Sequence, residues 1–313
     1  MNLYFSALGA LGAAWVLGKP IIALLRRLDA KQTIYEFAPE SHRSKAGTPT
    51  MGGWIILVAV ALAVIGLQLL GFWPTTGTLG AGAYVLGVAF AFALLGFVDD
   101  YLVRRWTAQR GLRWKLKLLL QFAIAGFAAY PLNALIGPMA VAAGAFWIVM
   151  WVNAFNLTDG LDGLAAGLSA IAFGALAATS TDPGVQITAV IWAGASLGYL
   201  VWNCHPAQVF MGDTGSMALG AAFALLSLSV YLENPEPLRL WSNGFLIGMV
   251  FFIEIISVVV QLTSVKAFKR KIFLATPIHH HFEALKWAEP KIVVRFWLVG
   301  LVAALAAIGM ERA

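Results

Sequence analysis

Five of the chain's seven aspartates stand in three short polar motifs. LGFVDDY carries Asp99 and Asp100, NAFNLTDGLDG carries Asp159 and Asp162, and VFMGDTGS carries Asp213. Adjacent carboxylates repel one another and lose hydration beside hydrocarbon, so the DD pair calls for a positive partner. Arg104 and Arg105 follow it closely and would make it a simple helix-end signal; the other roles open to it are metal ligand and general base. Asp159 and Asp162 are three apart and share a face if a helix has begun there, though Asp159 also suits an N-cap. Asp213 lies between glycines where an apolar run begins. There it could cap the helix or hold a Mg2+ that bridges phosphate oxygens. Phe210 just before it is either a membrane anchor or a stacking surface for a base.

Three of the five histidines form one run, His279, His280 and His281, in TPIHHHFE. Zinc usually takes spaced ligands, and no spaced partner accompanies this run, so phosphate or sugar contact is the preferred reading. SHRSKAGTPTMGG, from Ser41 to Gly53, reads as a loop whose Lys45 and Thr50 suit phosphate, against the default of a solvated basic loop. No Walker lysine motif and no GxGxxG fingerprint occurs. Carboxylates, lysine, histidine and glycine turns without those motifs suit Mg2+-assisted phosphoryl transfer, in which the metal offsets phosphate charge.

The elements that must position these residues are membrane helices. The chain is 60% hydrophobic and 12% charged, with a mean hydropathy of +0.81, against roughly 25% charged residues in soluble domains. Its apolar runs are helix-length rather than the alternating segments of a barrel. Ten helices are predicted, at 3–25, 53–72, 79–98, 117–134, 138–155, 163–181, 185–203, 215–232, 241–263 and 292–310. Sixteen Lys and Arg residues fall in the segments 26–52, 99–116 and 264–291, and only Arg239 and Arg312 in the opposite set of loops and termini. The positive-inside rule then places the aspartate and histidine motifs at the cytoplasmic face and both termini outside. The prediction is one all-α, polytopic domain spanning 1–313. No basic stripe with interleaved aromatics points to nucleic acid. The lone cysteine, Cys204, excludes an internal disulfide. Glu254 and Gln261, seven apart in the ninth predicted span, share a face toward the bundle interior.

LGFVDDY, NAFNLTDGLDG, FMGDTGS and PIHHHFE, in this order and together with AGTPTMGG, resemble the phospho-MurNAc-pentapeptide translocase (MraY) family. That family lies within the polyprenyl-phosphate N-acetylhexosamine-1-phosphate transferases. The resemblance implies ten transmembrane helices, a homodimer in the bacterial inner membrane, and Mg2+ as cofactor. It implies transfer of phospho-MurNAc-pentapeptide from UDP-MurNAc-pentapeptide to undecaprenyl phosphate, giving lipid I and UMP. By motif, Asp99 and Asp100 match the paired catalytic aspartates, Asp213 the metal aspartate with Asp100 beside it, His279 the first family histidine, and Lys117 the family lysine before Gln121. Lys45, Thr50, Asn156, Asp159, Gly160, Asp162, Phe210, Gln261, His280 and His281 match positions around the substrate. Thr276, where some members have alanine, and the missing glycine before Trp287 depart from the pattern at the edge of the site. Two rivals are a UDP-GlcNAc-type transferase of the same superfamily and a transporter. A transporter would keep its polar groups near the midplane. Direct attack by the lipid phosphate and a two-step route through an aspartyl phosphate both remain open.

Overall fold

In the computed structural model, which describes residues 3–28, 47–74, 82–107 and 111–312, the described residues form helices and connecting turns with no strand. In chain order these are α1 (Leu3–Arg27), α2 (Gly53–Leu69), α3 (Gly82–Trp106), α4 (Trp114–Ala129), α5 (Pro138–Thr158), α6 (Leu164–Thr179), α7 (Pro183–Asn203), α8 (Gly212–Glu233), α9 (Met249–Phe268), the short α10 (Ile278–Ala284) and α11 (Glu289–Arg312). A helix satisfies its own backbone polar groups, which is what an apolar solvent demands. Seven of them, α1, α3, α5, α7, α8, α9 and α11, are long and apolar enough to cross a membrane, so the chain is a multi-pass membrane protein. The ten predicted segments all contain a helix, but α2, α4 and α6 hold 17, 16 and 16 residues. At 1.5 Å per residue such helices fall short of a hydrocarbon core about 30 Å thick.

Two predicted boundaries move for local reasons. The run 117–134 ends at Ala129, and Pro131 starts a separate short helix, Leu132–Ile136. The run 241–263 divides into a π turn, Trp241–Leu246, and α9, with Gly248 between them. A Cβ on Gly248 would lie 2.4 Å from the Trp151 ring, so the chain passes this indole only as glycine.

Packing is layered around α8, 83% of whose apolar window is buried inside the protein; the figures for α1, α9 and α11 are 28–33%. Lipid is as apolar as leucine, so helices associate through close van der Waals fit rather than hydrophobic exclusion. Small residues supply that fit. Gly194 and Gly198 on α7 face the Ala7 and Leu11 carbonyls of α1 at distances no Cβ could share. Phe155 of α5 stacks on Phe251 of α9 with ring centroids 3.6 Å apart.

Candidate active site

The DD pair sits on a π turn, Val98–Leu102, inside α3. A π turn places more residues per revolution than an α turn and is often found at functional sites. Here the two acids reach different partners. Asp99 accepts from the Leu112 amide and, at 3.1 Å, from Lys117 Nζ of α4. Asp100 turns the other way, and its Oδ2 accepts from both the backbone N–H and the hydroxyl of Thr214 at 3.0 Å. The first amides of a helix have no partner within it and carry its positive end. Asp100 therefore caps α8 from a neighbouring helix.

Backbone contact between α3 and α8 sets this meeting. A Cβ on Gly96, one turn before the DD pair, would fall 2.4 Å from the Thr214 amide nitrogen. Gly212 has φ +71°, a conformation that favours glycine, and a Cβ there would meet Asp100 Oδ2 at 2.6 Å. Beside it, the 49–53 segment pairs with Phe210 and Met211 through Phe210 N–H to the Pro49 carbonyl (2.9 Å) and Gly53 N–H to the Met211 carbonyl (3.1 Å). These bonds carry the buried Thr50 to the cleft.

Asp213, in the first turn of α8, completes the cluster. Lys117 Nζ donates to it as well as to Asp99, so one ammonium joins acids 114 residues apart in the chain. Asn156 Nδ2 donates to Asp213 Oδ1 at 2.8 Å and to Ser216 Oγ at 3.0 Å. Asp159 borders the same space. Burial, and then the charges of Asp213 and Asp100, hold its carboxyl well above the usual carboxylate range.

These groups open onto a cleft of about 280 Å³ lined by Thr50, Asp100, Arg104, Asn156, Asp159, Gly160, Leu161, Asp162, Asn203, Phe210, Gly212, Asp213 and His280. Nine of the predicted positions thus share one cavity, while Asp99 and Lys117 brace Asp213 from behind. Lys45 lies outside the described residues. Leu161, Asn203 and Gly212 also line the cleft and were not singled out in the sequence, and Arg104, read there only as a partner for the DD pair, lines it too. Asn203 carried a signal, being the polar residue that ends a predicted span.

The histidine run divides three ways. His280 lines the cleft and pairs with Glu283 through Nδ1. His279 is fully buried; its Nδ1 lies 3.1 Å from Glu254 Oε1, out of line for a hydrogen bond, and its backbone N–H points to Glu254 Oε2. Its Nε2 fills the place a Cβ on Gly160 would need. His281 accepts from the Leu274 amide at 3.1 Å. Gln261 is likewise engaged locally, accepting from the Ile272 and Phe273 amides and donating to the Phe273 carbonyl, all at 3.0 Å. Glu254 and Gln261 do share a face, and that face receives the 272–281 segment.

Around the cleft, Asp99, Asp100, Asp159 and Asp213 stand against Lys117 and Arg104. Carboxylate oxygens at the start of α8, from Asp213 and Asp100, fit a hard divalent cation such as Mg2+.

Residues 82–231, which include every aspartate of the cleft, match the glycosyl transferase family 4 model. Residues 45–57 match phospho-N-acetylmuramoyl-pentapeptide-transferase signature 1. Proteins of that name from Anoxybacillus flavithermus, Geobacillus kaustophilus and Heliobacterium modesticaldum are similar across almost their whole lengths. The first is 40% identical over 95% of this chain and 94% of its own. The second is 41% identical over the same shares, and the third 40% identical over 96% and 93%. Cleft, motifs and relatives agree: the chain belongs to the phospho-N-acetylmuramoyl-pentapeptide-transferase family and is a phosphoglycosyl transferase of peptidoglycan biosynthesis.

Proposed function

We propose that the protein transfers phospho-MurNAc-pentapeptide from UDP-MurNAc-pentapeptide to undecaprenyl phosphate, with Mg2+, yielding lipid I and UMP. The observation that carries this reading is the Asp99–Lys117–Asp213 bridge behind a cleft that Asp100 and Asp213 line, where the end of α3 meets the start of α8. In the proposed architecture ten helices span the bacterial inner membrane, including the short α2, α4 and α6. Both termini lie outside, 1–313 is one domain, and the protein acts as a homodimer. The asymmetry of basic residues supports this orientation, since it puts the cleft at the cytoplasmic face where a nucleotide donor is met.

Roles follow from position. Asp213 and Asp100 would hold Mg2+, which when bound draws charge from the diphosphate and eases departure of UMP. Lys117 keeps Asp213 ionised and aimed, and Asp99 orients the acceptor phosphate or takes its proton. Arg104, at the Asp100 end of the cleft, offers a cation to an incoming phosphate. Asn156 fixes the Asp213 carboxylate. Gly160, Asp162, Asn203 and Phe210 form the wall for the nucleotide, and Thr50, Asp159 and His280 the rim for phosphate and sugar. His279 and Gln261 support that rim from beneath.

The deciding experiment is UMP release by purified protein given the UDP donor and undecaprenyl phosphate, with and without Mg2+. Release that needs all three sustains the reading. Turnover with UDP-GlcNAc in place of the MurNAc donor would move the chain to a sister activity.

Two further results are expected. Base–aromatic stacking contributes about 1–3 kcal/mol, so Phe210→Ala should raise the donor KM roughly tenfold in steady-state kinetics. An unchanged KM would make Phe210 a membrane anchor. The second concerns Asp159. An acid whose pKa is raised by folding contributes stability at low pH that is lost as pH climbs through the raised value. A bound cation offsets the charge that appears there. Mg2+ should therefore raise the melting temperature more at the alkaline end of a pH series than at its acid end, and an equal effect across the series would remove Asp159 from the metal's surroundings.

A further inference from the structure

Three segments meet at the edge of the cleft: the Gly160–Gly163 turn, the loop after α7, and the first turn of α11. Glu289 Oε1 accepts from the Asp162 amide at 2.6 Å. Asp162 Oδ2 accepts from the Ala207 amide at 3.1 Å and lies 3.1 Å from His205 Nδ1. The same Nδ1 is 3.6 Å from Glu289 Oε2. A carboxylate can only accept, so Nδ1 carries the hydrogen and faces two acids at once. Asp162 is 4% exposed and lines the cleft, whereas neither His205 nor Glu289 does.

We infer that His205 and Glu289 are positioning residues that lock Asp162 and the adjoining turn into the shape that admits the uridine nucleotide. The inference rests on the proposed UDP-linked donor. Its physical ground is that Asp162 is held at both ends, through its amide and its carboxylate, by two elements remote in sequence. The tie also passes to the next wall residue. Gly163 N–H donates to Asn203 Oδ1 at 3.1 Å, and Asn203 Nδ2 donates to the Val209 carbonyl at 3.0 Å. The donor atoms of Asp162, His205 and Glu289 lie within 4.8 Å of one another, so a bound metal is the competing use of the trio.

The test uses the full-length enzyme with UMP and the UDP donor as probes. His205→Ala removes a charge-assisted hydrogen bond and should weaken UMP binding and raise donor KM about tenfold, with kcat moving less than about threefold. His205→Asn puts an amide donor near the position of Nδ1 and should restore most of that loss. Glu289→Gln combined with His205→Ala should cost less than the two single losses together, because both act through Asp162. Wild-type protein that binds no UMP would overturn both this inference and the donor assignment. Wild-type binding with unchanged KM in the variants would overturn the inference alone. A fall in kcat and melting temperature at constant KM, or a stoichiometric metal lost from His205→Ala, would overturn it as well.

Discussion

Asp213→Asn should slow UMP release on the order of 10³-fold while the protein keeps its fold. The substitution retains shape and one oxygen. It removes the charge that faces Lys117, and it puts an amide N–H2 against either Lys117 Nζ or Asn156 Nδ2, both of which are donors. The Mg2+ needed for half-maximal turnover should rise, since one charged ligand is gone. Folding should survive because the helix start is capped by Asp100 through Thr214 and not by Asp213. The measurement is UMP release across a Mg2+ titration with thermal melts in parallel. Near-wild-type turnover at low Mg2+ would take Asp213 out of the site.

Lys117→Met should also cost at least 10²-fold in kcat, but with the opposite metal signature. Lys117 is the ammonium between Asp99 and Asp213, and its side chain is 18% exposed. Removing one partner of a largely buried ion pair leaves charge uncompensated, at a cost of about 3–5 kcal/mol. A bound divalent cation relieves that cost, so the half-saturating Mg2+ should fall although turnover falls too. Lys117→Arg should recover part of the activity, since guanidinium keeps the charge but not the compact geometry. A Lys117→Met enzyme that needs more Mg2+ than wild type would show that the lysine acts with the metal rather than in its place.

The sequence made the frame legible because apolar runs and basic loops report directly on membrane physics. All ten predicted runs contain helices, and the polar motifs that end them do converge. What it hid was local. Nothing in VDDY announces the π turn that sends Asp99 to Lys117 and Asp100 to Thr214. Three adjacent histidines look alike in a string, yet one is buried on Glu254, one bonds to a loop amide and one meets the cleft. Gln261 entered as a substrate position through the family resemblance, and nothing in the string shows that backbone amides 11 and 12 residues later bond to it. Gly194 and Gly198 form a small-xxx-small pair that marks the α1–α7 contact and could have been found by spacing alone.

The uneven burial of the helices has a mechanical consequence. Asp213 is fastened to α8, most of whose apolar length is buried, whereas Glu254 and Glu289, which support the proposed nucleotide wall, ride on α9 and α11, helices with most of their apolar length turned outward. Hydrophobic mismatch is relieved by tilting the helices that meet the bilayer. A thinner or thicker membrane is therefore expected to tilt α9 and α11 first, and with them the supports of the proposed donor wall, before it reaches the helix start that carries Asp213.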